Sequence, residues 1–219
     1  MNSQTEENYL KAIFKIAENT NGKVSTNAIA EKLNTKASSV TDMIKKLAEK
    51  QLVMYEKYQG VKLTEDGEKI AIQIIRKHRL WEYFLVNTLD FKWDEVHEIA
   101  EELEHINSDA LIDKLDKFLS FPQYDPHGDP IPNKEGFFNR HQSLPLSTFQ
   151  INDKVLITGV IDHSPAFLQY LAAINLALGT YLEIKEIADF DKSFTILLNN
   201  EKQVFLSYQV TKNLLVVKI

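Results

Sequence analysis

The apolar residues of this chain change their period once. Up to about residue 120 they recur every three or four positions, and beyond Leu146 they mostly alternate. Between the two runs stand five of the six prolines, from Pro122 to Pro145. An amphipathic helix needs the first spacing and a half-buried strand needs the second. Proline fixes φ and removes a backbone donor, so the middle stretch is neither regular helix nor sheet. One uniform architecture is therefore excluded. The pattern predicts a mainly α protein with a small β domain.

The helical part can be placed residue by residue. Tyr9, Leu10, Ile13, Phe14 and Ile16 predict an amphipathic helix over about 4–19. Asn19 to Gly22 breaks it. Ser25 is a candidate N-cap for a short helix carrying Ile29, Ala30 and Leu33. After a turn at Asn34–Lys36, Val40, Met43, Ile44 and Leu47 form the stripe of a third helix. LVMYEKYQGVKLT then reads as a hairpin around Gln59-Gly60. Thr64 caps a helix that runs to about Asn87, with two more predicted near 93–106 and 108–119. PQYDPHGDPIPNKEGFFNRHQSLP follows as a linker or an ordered loop. KVLITGVI, TYLEIKEIA, SFTILLNN, QVFLSY and LLVVKI are five strands of a small barrel, with one helix near 166–177.

Composition narrows the function. The chain has 219 residues, no cysteine and a net charge of −6. A disulfide framework, a thiolate zinc finger and a thiol nucleophile are excluded. The first residues are polar and no apolar run is long and uninterrupted enough to span a membrane, so a cytoplasmic protein is expected. There is no HExxH, no GxSxG and no glycine-rich phosphate loop, so an enzyme is not expected. The charge is uneven: residues 1–77 carry +3, residues 78–120 carry −7 and the remainder −2. A basic block followed by a strongly acidic one calls for two explanations.

Two short helices, a tight turn and a hairpin are the order of a winged helix-turn-helix, which addresses double-stranded DNA. The second helix of the pair would lead with Lys36, Ala37, Ser38, Ser39, Thr41 and Asp42. Small and hydroxylated side chains there allow close approach and contacts to phosphates and base edges. Lys45 follows on the same helix, as do Lys46 and Lys50. Lys57, Tyr58 and Gln59 would sit at the tip of the wing. A plain solvated lysine face is the alternative.

The acidic block holds His97, Glu101, Glu104 and His105, spaced i, i+4, i+7 and i+8. On one continuous helix these fall within an arc of about 100°. His78 and Glu82 share a face of the preceding helix. Converging carboxylates repel unless a cation neutralises them. Imidazole and carboxylate without thiolate suit a divalent transition-metal ion. A solvated Glu-rich helix remains an alternative. A di-iron carboxylate protein is a weaker one, because only one Glu-x-x-His is present, at Glu102–His105.

Taken together, these residues resemble the metal-dependent repressors typified by the diphtheria toxin repressor and the manganese transport regulator. The resemblance rests on TEENYLKAIF, SSVTDMIKKLAEKQLVMYEKYQGVKLTEDG, RKHRLWEYFL, VHEIAEELEHINSD and DPHGDPIP, and it spans essentially the whole chain. It implies a winged helix-turn-helix DNA-binding domain at 1–73 and a helical metal-binding and dimerisation domain at 74–121. A Pro-rich linker at 122–145 and an SH3-like (FeoA-like) β-barrel domain at 146–219 complete it. It further implies a homodimeric repressor of metal-homeostasis genes that binds operator DNA when Mn²⁺ or Fe²⁺ fixes the dimer geometry. Zn²⁺ or other divalent ions would substitute in vitro. A winged-helix regulator that senses an organic ligand is the alternative.

Two metal positions are implied by the resemblance. The activating one would use Asn8, Glu101, Glu104 and His105. The other would use His78, Glu82 and His97, with Asp162 or His163 lent by the C-terminal domain. Three residues depart from the family pattern. Asn8 stands where members carry Asp or Met, and Lys11 where manganese-type members place a carboxylate. Glu101 stands where iron-type members place Cys. An oxygen donor at Glu101 favours Mn²⁺ or Fe²⁺ over soft ions. Lys11 argues against the closely spaced two-metal arrangement.

Overall fold

Ser3 starts the first helix with a reciprocal cap. Its hydroxyl accepts from Glu6 N, and the Glu6 carboxylate accepts from Ser3 N at 2.8 Å. The computed structural model describes residues 2–20, 24–56, 60–139, 142–199 and 201–219. They form two units. One comprises Met1–His78, Glu101–Leu115 and Pro132–Phe138; the other comprises Arg79–Ala100, Asp116–Ile131 and Asn139–Ile219.

The first unit contains α1 (Gln4–Asn19), α2 (Thr26–Lys32), α3 (Ala37–Glu49), β1 (Val53–Glu56) and β2 (Gly60–Leu63). β1 and β2 pair antiparallel, with Val53 opposite Leu63 and Glu56 opposite Gly60. Val24 adds a third rung by exchanging two backbone bonds with Val61. Leu10 and Ile13 of α1, Ile29 of α2, and Val40, Ile44 and Leu47 of α3 are fully buried in one core with Val61. Each recurs at helical spacing, so each helix spends its apolar stripe on the same centre. This is the winged helix-turn-helix order.

α4 (Glu65–Leu89) begins where Thr64 Oγ1 accepts from Gly67 N at 3.2 Å. The boundary between the units falls within it, after His78. α5 is His97–Leu103 and α6 is Asp109–Phe118. The helix predicted over 93–106 is therefore shorter at both ends. A turn bond from Glu95 N to Lys92 O precedes it, and Ile106 N closes a tight turn onto Leu103 O. Glu104 and His105 lie in that turn, outside the helix, so the arc drawn for a continuous helix does not apply to them.

The second unit is built on a six-stranded antiparallel sheet. Its strands are β3 (Leu144–Pro145), β4 (Lys154–Val160), β5 (Tyr181–Ile187), β6 (Phe194–Leu198), β7 (Lys202–Leu206) and β8 (Leu214–Lys218), in the order β3-β8-β4-β5-β6-β7. Register shifts at Ile157/Gly159 and Ile184/Glu186 mark bulges, which bend a sheet. Alternate residues Val155 and Ile157, Phe194 and Ile196, and Leu214 and Val216 fill the core together with Leu168 and Leu171 of α7 (Pro165–Ala173). This is the small FeoA/SH3-like β domain. The edge strand β3 and the short helix α8 (Tyr208–Thr211) are additions to the sequence reading.

Two tests follow from the first unit. A Cβ on Gly67 would lie 2.0 Å from Leu52 O, a backbone atom that cannot swing aside. Gly67→Ala should cost about 2–3 kcal/mol in urea unfolding, although alanine is the better helix former. Glu6 is almost fully buried, and its carboxylate meets Lys50 at 2.8 Å and Lys46 at 3.1 Å. Burial alone would raise its pKa, but the bonds from Lys50, Ser3 N and Lys46 hold it down at about 2, from an ordinary 4.5. That stabilisation is complete above pH 4.5 and is lost as the pH falls towards 2. Glu6→Gln should cost about 2 kcal/mol at pH 7, a difference from wild type that shrinks across the same acid window.

Candidate metal centre and nucleic-acid interface

In the second unit, α4 delivers Arg79 and Glu82 to the loop that follows α6. That loop folds back on itself, with Tyr124 bridging Pro130 and Ile131 N bonding Gln123 O. Asp125 Oδ1 accepts from the backbone N–H of His127 and of Asp129, at 2.8 and 2.9 Å. Arg79 grips the other side, donating to Pro130 O at 2.6 Å and to Asp129 Oδ2 at 2.8 Å. The stretch Pro122–Pro145 is thus an ordered loop at this end and not a spacer.

One donor atom each from Glu82, Asp125 and His127 lies within 4.8 Å of the others, and all three residues are buried. His127 Nε2 donates to Trp93 O at 2.8 Å. A carbonyl can only accept, so that nitrogen carries a proton and Nδ1 is the atom turned to Glu82, at 3.7 Å. Among the described residues, Nδ1 has no hydrogen-bond partner. An imidazole fixed through one nitrogen and offered through the other is the usual arrangement of a metal-ligating histidine. Its ring lies near those of Trp93, 6.2 Å away, and His163, 4.8 Å away.

The electrostatics are those of a site short of positive charge. Burial, then the charges of Asp129 and Glu82, push the Asp125 carboxyl up to about 7. Burial would lower His127, but the Glu82 and Asp125 carboxylates hold it up at about 9. Burial pushes His163 down. Three such oxygen and nitrogen donors fit a hard or borderline divalent ion, which would take over the charge that the proton on His127 now supplies.

Of the residues picked from the sequence, Glu82 and His97 come together here, with His97 Nδ1 at 3.3 Å from Glu82 Oε1. His163 reaches the same centre by its ring contact with His127. Asp162 Oδ1 instead accepts from Ser164 N at 2.8 Å. His78 belongs to the first unit, where its Nδ1 is 2.7 Å from Glu104 Oε2. Asp125 and His127 were not singled out. Their signal is DPHGDP, a carboxylate and an imidazole two residues apart, which enters the sequence reading only as a resemblance motif within a proline-rich stretch.

The position expected to be the activating one, in the first unit, looks different. Lys11 Nζ lies 2.6 Å from Glu101 Oε1 and 2.5 Å from Glu104 Oε1. His105 Nδ1 is 2.6 Å from Glu7 Oε2, and Asn8 Oδ1 is buried without a hydrogen-bond partner among the described residues. The cation demanded by converging carboxylates is present, and it is a lysine.

On the nucleic-acid side, Lys36, Ala37, Ser38 and Ser39 are exposed at the start of α3. Lys36 is the N-cap and makes no side-chain cap bond, so the first backbone N–H groups remain open to an anion. The Thr41 hydroxyl donates to Ala37 O at 3.0 Å. Asp42 and Lys45 are exposed and 3.7 Å apart. Lys46 and Lys50 are tied to Glu6, which makes them structural as well as basic. Lys57, Tyr58 and Gln59 lie outside the described residues.

Known proteins share both halves of this arrangement. Residues 1–61 match the family described as iron dependent repressor, N-terminal DNA binding domain, and residues 64–133 match iron dependent repressor, metal binding and dimerisation domain. Residues 144–218 match the FeoA domain. A solved manganese-dependent transcriptional repressor in complex with manganese has a TM-score of 0.87 at 36% identity, over 98% of this chain and 100% of that one. The iron-dependent repressor IdeR of Mycobacterium tuberculosis is 35% identical over 129 residues, 58% of this chain and 55% of that one. A probable metal transport system membrane protein of Chlamydia trachomatis is 44% identical over 88 residues, 40% of this chain and 19% of that one. The chain thus spans about half of one curated relative, a fifth of the other and the whole of the solved repressor.

Gly128 provides a test of the loop. Its φ is +89°, and a Cβ there would lie 2.1 Å from Thr158 O and 2.4 Å from Gly159 Cα. Gly128→Ala should cost about 3 kcal/mol or more in urea unfolding, since both the backbone strain and the clash fall on main-chain atoms.

Proposed function

The chain belongs to the family of iron-dependent, metal-responsive transcriptional repressors, and on that footing we propose that it binds operator DNA as a homodimer when Mn²⁺ or Fe²⁺ occupies Glu82, Asp125 and His127. The observation that carries this reading is the buried triad itself. Two carboxylates and an imidazole with an unused nitrogen are held together by Arg79, Trp93 O and the backbone of their own loop. Burying such a set without a counter-ion is costly.

An ion bound there would supply positive charge to oxygen and nitrogen donors, a set that suits Mn²⁺ or Fe²⁺. Zn²⁺ and other later ions would also bind in vitro by affinity order. His97, beside Glu82, and His163, beside His127, are the proposed flanking groups. Residues 1–73 serve as the DNA-binding part and 74–121 as the metal-binding and dimerisation part. Residues 122–145 supply Asp125 and His127, and 146–219 the FeoA-like part. Lys36 to Ser39, Thr41 and Lys45 face DNA, two copies of α3 addressing two half-sites. Control works by population: the state in which the triad shares an ion is the state with higher operator affinity. The controlled genes would be those of metal homeostasis, in the cytoplasm. Among the described residues no helix is long and apolar enough to cross a membrane.

The test is an operator mobility shift titrated with Mn²⁺, anaerobic Fe²⁺ and Zn²⁺ at fixed ionic strength, because salt alone moves such affinities. Mn²⁺ should raise wild-type affinity and a chelator should reverse it. His127→Ala should weaken Mn²⁺ binding by about 10–100-fold and remove the stimulation, while the protein still elutes as a dimer. Ser39→Ala and Thr41→Ala should weaken operator binding and leave Mn²⁺ affinity alone. Equal operator affinity with Mn²⁺ and with chelator would overturn the reading.

A further inference from the structure

The Glu101–Glu104 pair of the first unit already holds a cation. Lys11 is buried, and its ammonium lies 2.6 Å from one carboxylate and 2.5 Å from the other. Glu104 is fully buried, and its second oxygen is taken up by His78 Nδ1 at 2.7 Å. The ammonium thus stands at the point where an ion bridging the two carboxylates would have to stand. A lysine cannot leave, because its stem is anchored on α1. To enter, a divalent ion would have to expel a buried positive charge or sit beside it, and like charges in a poorly solvated site repel strongly. Among the described residues Asn8 Oδ1 is a buried oxygen without a hydrogen-bond partner, but as an amide it brings no charge to offset that repulsion.

We propose that Lys11 is the resident cation of the Glu101–Glu104 pair and sets the metal stoichiometry of the protein at one tight divalent ion per chain, held at Glu82, Asp125 and His127. The proposal rests on the reading of that triad given above, and it assigns Lys11 the part of a built-in substitute for a second ion. Replacing it by a carboxylate would convert the cluster into an acceptor of a divalent ion. Glu101, Glu104 and the new group would supply the charge, and Asn8 Oδ1 would be on hand as a neutral donor.

The experiment is Mn²⁺ equilibrium dialysis with elemental analysis on the full-length protein, accompanied by the Mn²⁺-induced shift in melting temperature. The variants are Lys11→Glu, Lys11→Met, Glu101→Gln and His127→Ala. Wild type is expected to bind one tight ion, a count unchanged in Glu101→Gln and lost in His127→Ala. Lys11→Glu should bind two, the second lost again when Glu101→Gln is added. Lys11→Met should show a second ion at least tenfold weaker than the first. Two tight ions in wild type, one of them lost in Glu101→Gln, would overturn the proposal. So would a folded Lys11→Glu protein that still binds one. Should Lys11→Glu fail to fold, the wild-type and Glu101→Gln counts decide alone. One tight ion retained in His127→Ala and lost in Glu101→Gln would refute both the triad and the substitute. One retained in both His127→Ala and Glu101→Gln would overturn the assignment of the ion to the triad, and with it the proposal as stated.

Discussion

A carboxylate taken out of water has to be met by positive charge or give up its ionisation. This chain buries Glu6, Glu104, Glu82 and Asp125, and it answers the requirement in three ways. Glu6 draws Lys46 and Lys50 from α3. Glu104 takes Lys11 and His78. Glu82 and Asp125 face His127, with Arg79 close to Asp125. The first two answers are tethered ammonium groups, present whatever the solution contains. The third leans on an imidazole proton, which can be exchanged for an ion. In the reading proposed above, that difference separates the scaffold from the sensor.

Helix α1 carries much of this arrangement in the first unit. Within two turns it sends Glu6 to α3, Glu7 to His105 and Lys11 to Glu101 and Glu104. Its apolar residues Leu10 and Ile13 meanwhile fill the core shared with α2 and α3. The helix that supports the DNA-facing element is thus also bonded to the acidic turn after α5. Between Glu6 and Phe14 the apolar stripe and the charged positions are both committed.

The fold was largely legible because its local signals agree. Ser25 and Thr64 are N-caps with the expected hydroxyl bonds, and the apolar stripes of α1 and α3 are regular. The site was less legible, for two physical reasons. Helical arithmetic carried His97 through to His105, but the helix stops at Leu103 and the spacing argument stops with it. The decisive contacts are also remote in sequence. Lys11 meets Glu101 across ninety residues, and His127 meets Trp93 across thirty-four. No periodicity announces such pairs. Lys11 stood out only as a departure from a family pattern; its role became readable once its partners were known.

The loop around Gly128 lies so close to β4 that its main chain bonds directly to the strand, Val160 N to His127 O at 3.0 Å. One ring and one backbone of the proposed metal site therefore lie against the β domain, which packs into the same unit. Proline-rich stretches are the customary place to cut a chain when domains are exchanged between relatives. Here a cut after His127 would part it from the strand that seats it, and a cut before it would part it from Glu82 and Trp93. A chimera carrying a foreign β domain would change what surrounds His127, its ring neighbour His163 included. In this protein the C-terminal part and the proposed site are one structural piece, and neither can be exchanged alone.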